Sequence, residues 1–134
     1  MFKREGCVKG ASAYAAPMLP DRLGPSRSGP SRTGTVAVIF RSTRNGADET
    51  GYAAAAAAMD RLAAAQPGYR GVRSARGEDG VGITVSYWAD HAAALAWRNH
   101  PEHAAIRERG RALWYSEYHV DVTRVERSYA WARE

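Results

Sequence analysis

The sequence predicts an α+β domain: a four-stranded antiparallel sheet with helices on one face, in the order strand, helix, strand, strand, helix, strand. Three observations predict it. Period-two apolar alternation recurs at Val36–Phe40, Ile83–Tyr87 and Tyr118–Val122. Alanine-rich segments of helical period lie between these stretches. Turn-forming clusters at Asn45–Asp48, Pro67–Gly68 and Gly77–Gly80 separate the pieces.

The elements follow in chain order. Val36, Val38 and Phe40 alternate with Ala37, Ile39 and Arg41, which makes the first strand from Thr35. Asn45-Gly46-Ala47-Asp48 supplies a turn and a helix N-cap. The helix is expected from Asp48 to Gln66, with Tyr52, Ala55, Ala56, Met59, Leu62 and Ala63 on its apolar side, and Pro67-Gly68 stops it. Tyr69–Ala75 is read as the second strand, Gly77–Gly80 as a tight turn, and Ile83, Val85 and Tyr87 mark the third. Asp90 caps a second helix through His100. Pro101 opens a third helical piece that runs to about Tyr115. Tyr118, Val120 and Val122 begin the last strand. Its apolar phase then shifts to Val125, which predicts a bulge, and Tyr129 and Trp131 follow as an aromatic tail.

Size and charge set outer bounds. A chain of 134 residues has room for one domain and little else. Residues 1–34 hold four of the six prolines and five of the thirteen glycines, with little aliphatic content, so they are expected to be a disordered leader before a domain at 35–134. The net charge of +5 invites a nucleic-acid reading. Its distribution argues against one: residues 1–34 carry six basic and two acidic side chains, and the rest carry thirteen and twelve. A single cysteine, Cys7, excludes an internal disulfide and fits a reducing compartment. No apolar run approaches the ~20 residues that span a bilayer, and the N-terminus lacks the apolar centre of a signal peptide. A cytoplasmic location is therefore expected, with no membrane or nucleic-acid partner.

Reactive side chains concentrate in one place. Trp97-Arg-Asn-His100-Pro-Glu-His103 and Gly110-Arg-Ala-Leu-Trp114-Tyr115-Ser-Glu-Tyr118 bring together two of the four histidines, two of the four tryptophans and two tyrosines. Imidazole bases in an aromatic pocket suit proton abstraction from a flat organic molecule. There is no glycine-rich phosphate loop, no Gly-x-Ser-x-Gly elbow and no dinucleotide fingerprint.

The spacing Trp88, Trp97, His100-Pro-Glu-His103, Gly110-Arg, Trp114-Tyr115, Tyr118 resembles that of the antibiotic biosynthesis monooxygenase family over residues 35 to about 131. The resemblance implies a ferredoxin-like fold that pairs through its sheets as a dimeric α+β barrel. It also implies a substrate cavity between sheet and helices. Some members oxygenate polyketide-derived hydroquinones or anthrones without metal or flavin; others degrade haem. Haem degraders carry an Asn in the first strand, a Trp in the second helix and a His about ten residues later. Trp97 fits that pattern. Phe40 and Arg41 stand where the Asn would lie, and Arg107 stands in place of the ligand, so the resemblance favours the cofactor-free branch.

The individual residues keep two readings each. His100 and His103 are either a general base roofed by Trp97 or packing histidines that satisfy backbone carbonyls around Pro101. Their i, i+3 spacing suits two ligands of one ion, but no third ligand is evident, so neither metal nor cofactor is expected. Trp114, Tyr115 and Tyr118 either stack on and hydrogen-bond a substrate or fill the core. Arg41 either neutralises an enolate or is a solvated edge charge. The expected function is a cofactor-independent monooxygenase acting as a homodimer on a small aromatic substrate and molecular oxygen. An isomerase or cyclase using the same base, or a non-enzymatic dimeric binding or stress module, are the alternatives.

Overall fold

Asp48 begins the first helix by a cap rather than by propensity. Its carboxylate accepts a hydrogen bond from the Gly51 amide at 3.1 Å, and its backbone adopts the left-handed conformation with φ 50°. The computed structural model describes residues 31–134. The strands are β1 (Val36–Arg44), β2 (Tyr69–Arg76), β3 (Val81–Trp88) and β4 (Tyr115–Arg124). The helices are α1 (Glu49–Ala64), α2 (His91–Arg98) and α3 (Pro101–Arg109), and α3 runs into a π-helical turn, Gly110–Trp114. The sheet order is β2-β3-β1-β4, antiparallel throughout, so the split β-α-β expectation holds.

Alternation along β1 assigns the two faces. Val36 lies opposite Trp88 in β3, and both are fully buried against Ala63 of α1 and Ala94 of α2. Val36, Val38, Phe40, Ser42 and Arg44 therefore face the helices, together with Gly82, Thr84, Ser86 and Trp88. Ala37, Ile39, Arg41 and Thr43 face the other way, beside Val81, Ile83, Val85 and Tyr87. The clean apolar alternation read in β3 thus belongs to the uncovered face. Beneath the helices β3 is small and polar, with Ser74 and Thr84 sharing a 2.7 Å hydroxyl bond and Trp88 donating from Nε1 to Ser86 at 3.0 Å.

The core under the helices has two parts. One joins Val36, Trp88, Ala63 and Ala94, with Val38, Tyr69, Ala93 and Trp97 packed against it. The other, at the opposite end of β1, joins Tyr52, Ala55 and Trp114, with Ile106 and Tyr115. Val38 and Phe40 lie between the two parts on the central strand and stay only half-buried. The helices therefore leave a trough over the middle of the sheet.

Two local expectations need correction. The predicted bulge near Val125 is not there: Val36 pairs with Arg124 in regular register, and Val125 exchanges hydrogen bonds with Gly34 and Thr35. The apolar residues change face instead of the strand bulging. The irregularity sits at the other end, between Thr43 and Arg44 opposite Glu117 and Tyr115. The third helix also does not stay α-helical to Tyr115. Its last turn widens to π, which turns Leu113 out to solvent and Trp114 inward. Of the expected leader, residues 1–30 lie outside the described residues, while 31–34 form a turn in which Thr35 donates to the Arg32 carbonyl and Arg32 lies over the Tyr87 ring at 4.3 Å.

Candidate active site

Trp97 sits near the end of α2, where α2 crosses the sheet end that Val36 and Trp88 occupy. One face of its indole stacks on Trp88 at 5.9 Å between centroids, 23° from parallel. On Trp97 also lies the His103 ring, at 4.4 Å and 11° from parallel. Tyr69 meets Trp88 edge-on at 5.8 Å. The result is a column of Trp88, Trp97 and His103 at one end of the trough. Offset stacks of this kind add about 0.5–1.5 kcal/mol per pair beyond burial and fix ring orientation.

The two histidines do different things, and their backbone partners tell them apart. His100 caps α3: its Nδ1 accepts a hydrogen bond from the Glu102 amide at 3.3 Å. An accepting Nδ1 leaves Nε2 as the protonated nitrogen of the neutral ring. His103 Nδ1 lies 2.9 Å from the Trp97 carbonyl oxygen. A carbonyl only accepts, so this Nδ1 carries the proton and Nε2 keeps its lone pair. Burial of the His103 ring lowers its pKa below the usual imidazole value. The bond to Trp97 opposes that shift, and the charges of Arg107 and His100 add to it. His103 thus keeps Nε2 as its lone-pair nitrogen, while Nδ1 of His100 is bound up in helix capping. The second helix, expected to run through His100, ends at Arg98, because His100 caps the next helix. The His100 ring stays tilted 43° to Trp97 at 5.9 Å.

The far end of the trough is also aromatic. Phe40 meets Tyr115 edge-on at 5.5 Å and Tyr118 at 5.4 Å, and the two tyrosines are 6.3 Å apart. Arg111 Nε donates to the Tyr118 hydroxyl at 2.6 Å, while Arg111 also pairs with Glu108. Trp114 is almost fully enclosed, donates from Nε1 to Asp48 at 3.2 Å, and meets Tyr52 edge-on. It is a core residue. Successive same-face residues of a strand stand about 7 Å apart. Val38, packed against the same cluster as Trp97, and Phe40, in ring contact with both tyrosines, are such neighbours and form the floor between the two ends. Arg41 is exposed on the opposite face, across from His119, and joins neither group.

Several residues here were not legible beforehand. Tyr52 lies between two buried guanidiniums: Arg44 covers its ring at 3.6 Å, and Arg76 donates to its hydroxyl at 3.2 Å. Arg76 also donates to the Ser42 hydroxyl and to the Ser42 and Gly80 carbonyls. Arginines that end strands carry no mark of burial in the sequence. Asp60, on α1, is half-buried, and burial lifts its carboxyl to about 6, against a smaller lowering by Arg61. Its helical phase, four residues after Ala56, was the available signal. A cleft of about 450 Å³ opens beside Trp97, bounded by Gln66, Gly68, Arg70, Asp90 and Ala93; neither histidine lines it. Among the described residues no three His, Cys, Asp or Glu side chains converge as a metal site would need, and no helix is long and apolar enough to cross a membrane.

A ferredoxin-like α+β domain with an aromatic trough between sheet and helices is the class these features define. The chain belongs to the antibiotic biosynthesis monooxygenase family, whose sequence profile matches residues 35–109. It is 52% identical over 91 residues to the uncharacterized protein YqjZ of Bacillus subtilis (strain 168), covering 68% of this chain and 79% of that one. In structure it is similar to SnoaB (mutant N63A), a cofactor-independent oxygenase from Streptomyces nogalater. That match has a TM-score of 0.62 and 20% identity over 72% of this chain and 97% of SnoaB. Rv0793 from Mycobacterium tuberculosis matches with a TM-score of 0.59 and 21% identity, over 66% and 92% of the two chains. At these identities the likeness shows the fold.

Proposed function

We propose that the protein is a cofactor-independent monooxygenase acting, as a homodimer, on an electron-rich aromatic substrate of the hydroquinone or anthrone type. The observation that carries the reading is the His103–Trp97 pair. One backbone bond fixes the tautomer, one stack fixes the ring plane, and burial keeps the imidazole neutral at neutral pH. Membership of the monooxygenase family and the oxygenase activity named for SnoaB support it.

The reaction balances without a bound redox group. His103 Nε2 takes a phenolic or benzylic proton, and the resulting anion is the reductant. It gives one electron to O2; the substrate radical and superoxide combine into a peroxide anion that takes the proton back from His103, and loss of water from the hydroperoxide leaves a quinone. One oxygen atom enters the product and the other leaves as water. The protein's part is to deprotonate, to stack the ring over Val38 and Phe40, to offer Tyr115 and Tyr118 hydroxyls to its oxygens, and to exclude water. His100, Trp114 and Arg41 act outside this step: the first caps α3, the second packs the core, and the third lies on the uncovered face.

The dimer is proposed from that uncovered face. It presents Ile39, Ile83 and Val85, with only the Arg32 side chain over neighbouring Tyr87, a surface suited to a second copy. Product analysis with an anthrone tests the activity: a gain of one oxygen atom less two hydrogens supports it. Conversion with no change in mass would point to an isomerase or cyclase.

A further inference from the structure

The bond between Arg111 and Tyr118 has a polarity that the chemistry above does not use. Arg111 Nε donates to the Tyr118 hydroxyl oxygen at 2.6 Å, and the guanidinium carbon lies 5.6 Å from the centre of the same ring. A guanidinium only donates, so it occupies a lone pair of the phenol oxygen. The hydroxyl keeps its one hydrogen, and among the described residues nothing accepts it. Tyr118 is therefore a donor whose hydrogen is left for a ligand or for water. Accepting from a cation also makes the hydroxyl a stronger donor, because linked hydrogen bonds polarise one another.

The donor is held from several sides. Arg111 stands in the π-turn, a widened turn of the kind found frequently at functional sites. Its Nη1 donates to the Glu108 carboxylate at 2.8 Å. The two side chains are 53% and 65% exposed, so this ion pair adds little stability. Bonds from two different nitrogens do fix the plane of the guanidinium fork between Glu108 and Tyr118. The Tyr118 ring is fixed in turn by Phe40 at 5.4 Å and Tyr115 at 6.3 Å. Tyr118 lies opposite Ser42, on the helix side of the sheet. The donor thus belongs to the Phe40 end of the trough. The lone pair of His103 Nε2 belongs to the other end, where His103 stacks on Trp97 and Trp97 packs with Val38.

We propose that Arg111 is a positioning residue that sets Tyr118 as a donor, so that the substrate lies with a carbonyl oxygen at Tyr118 and its acidic hydrogen toward His103. This rests on the monooxygenase reading above. An anthrone-type ketone carries such a pair of groups on opposite sides of one ring. When the benzylic proton leaves to His103 Nε2, the electron pair left behind moves through the ring to the carbonyl oxygen. The bond from Tyr118 strengthens as that oxygen becomes an anion. A substrate with an apolar edge at this place leaves the Tyr118 hydrogen unpaired and is disfavoured. The preferred substrate is therefore an aromatic ketone, and the direction in which it lies is set by hydrogen-bond polarity.

Xanthone and xanthene test this without turnover. Both are tricycles of the same outline, and only xanthone carries a carbonyl. Calorimetric titration of each into the full-length wild type, Tyr118→Phe, Arg111→Met and the double variant gives an affinity ratio for each protein. The proposal expects the wild type to prefer xanthone by about three- to tenfold and Tyr118→Phe to abolish the preference. Arg111→Met should remove most of it with xanthene affinity unchanged, and should remove nothing further in the Tyr118→Phe background; Arg111→Lys should restore part. With an anthrone, Arg111→Met should lower kcat more than it raises KM. A preference for xanthone that survives both single substitutions overturns the inference, and oxygenation that persists beside it leaves the His103 reading standing. A preference that follows Arg111 and Tyr118 in a protein that adds no oxygen to an anthrone supports the donor pair and overturns the monooxygenase reading instead. Equal affinity of the wild type for the two tricycles, or binding of neither, overturns the inference.

Discussion

Gly110 opens the π-turn at φ −59°, a conformation any residue adopts. In a helix alanine is better than glycine by about 0.8–1.0 kcal/mol, so the backbone alone favours Gly110→Ala. The Tyr115 ring does not. An added Cβ would sit 2.8 Å from Cε2 and 3.0 Å from Cδ2 of that ring, well inside the ~3.5–4.0 Å of an ordinary carbon contact. The ring has little room to yield, because Phe40 and Tyr52 hold it edge-on at 5.5 and 6.1 Å. Overpacking of this kind costs about 1–3 kcal/mol, so after the helical gain Gly110→Ala should destabilise by roughly 1–2 kcal/mol. Urea unfolding followed by tryptophan fluorescence measures it. The decisive comparison is with Tyr115→Ser as background: with the ring gone, the same substitution should become stabilising by about 0.5–1 kcal/mol. If Gly110→Ala costs the same in both backgrounds, the Tyr115 ring is not what demands the glycine.

Three other perturbations have definite signs. Burial holds the Asp60 carboxyl near 6 against 3.8 unfolded, so the folded chain loses stability as pH rises between those values. Asp60→Asn should therefore stabilise at pH 7, by on the order of 1 kcal/mol after allowance for partial exposure, and the gain should vanish below pH 4; chemical denaturation at both pH values checks this. His103 has the opposite linkage. Its folded pKa lies below 6.5, so the unfolded chain takes the proton first and stability falls on acidification below that value. The rate should accordingly hold down to a pH below 6.5, and His103→Gln should cut it roughly 10²–10⁴-fold while lowering the melting temperature by a few degrees through loss of the Trp97 stack; a wild-type acid limb at or above 6.5 would contradict the half-buried, neutral imidazole. Trp114→Phe removes the bond to Asp48 and should cost about 1–2 kcal/mol while leaving turnover within about twofold, a split that unfolding and steady-state assays measure together.

The fold was largely readable because local signals agreed with one another. Asp48 and Asp90 cap the helices they were expected to cap, and Pro101 starts the third. The face assignment was harder. Val36 and Ile39 are equally apolar, and only the Trp88 and Ala94 contacts decide which of the two faces is covered. The π-turn left no trace in a period-based reading, since one extra residue per turn moves Trp114 inward and Leu113 outward with no change of composition. Around the site, the cluster was found but the roles within it were not. His100 and His103 look alike in the sequence; the Glu102 amide and the Trp97 carbonyl separate them. Arg44 and Arg76 were invisible because what buries them, Tyr52, stands in another element.

The proposed chemistry stands on the neutral His103 imidazole handing an aromatic anion to oxygen. Incubation of the purified protein with an anthrone under ¹⁸O₂ examines this most directly. A quinone carrying one labelled oxygen, formed with equimolar uptake of O₂ and lost in His103→Gln, is the predicted result. Product that forms equally well without oxygen, or labelled product at an undiminished rate from His103→Gln, would contradict it.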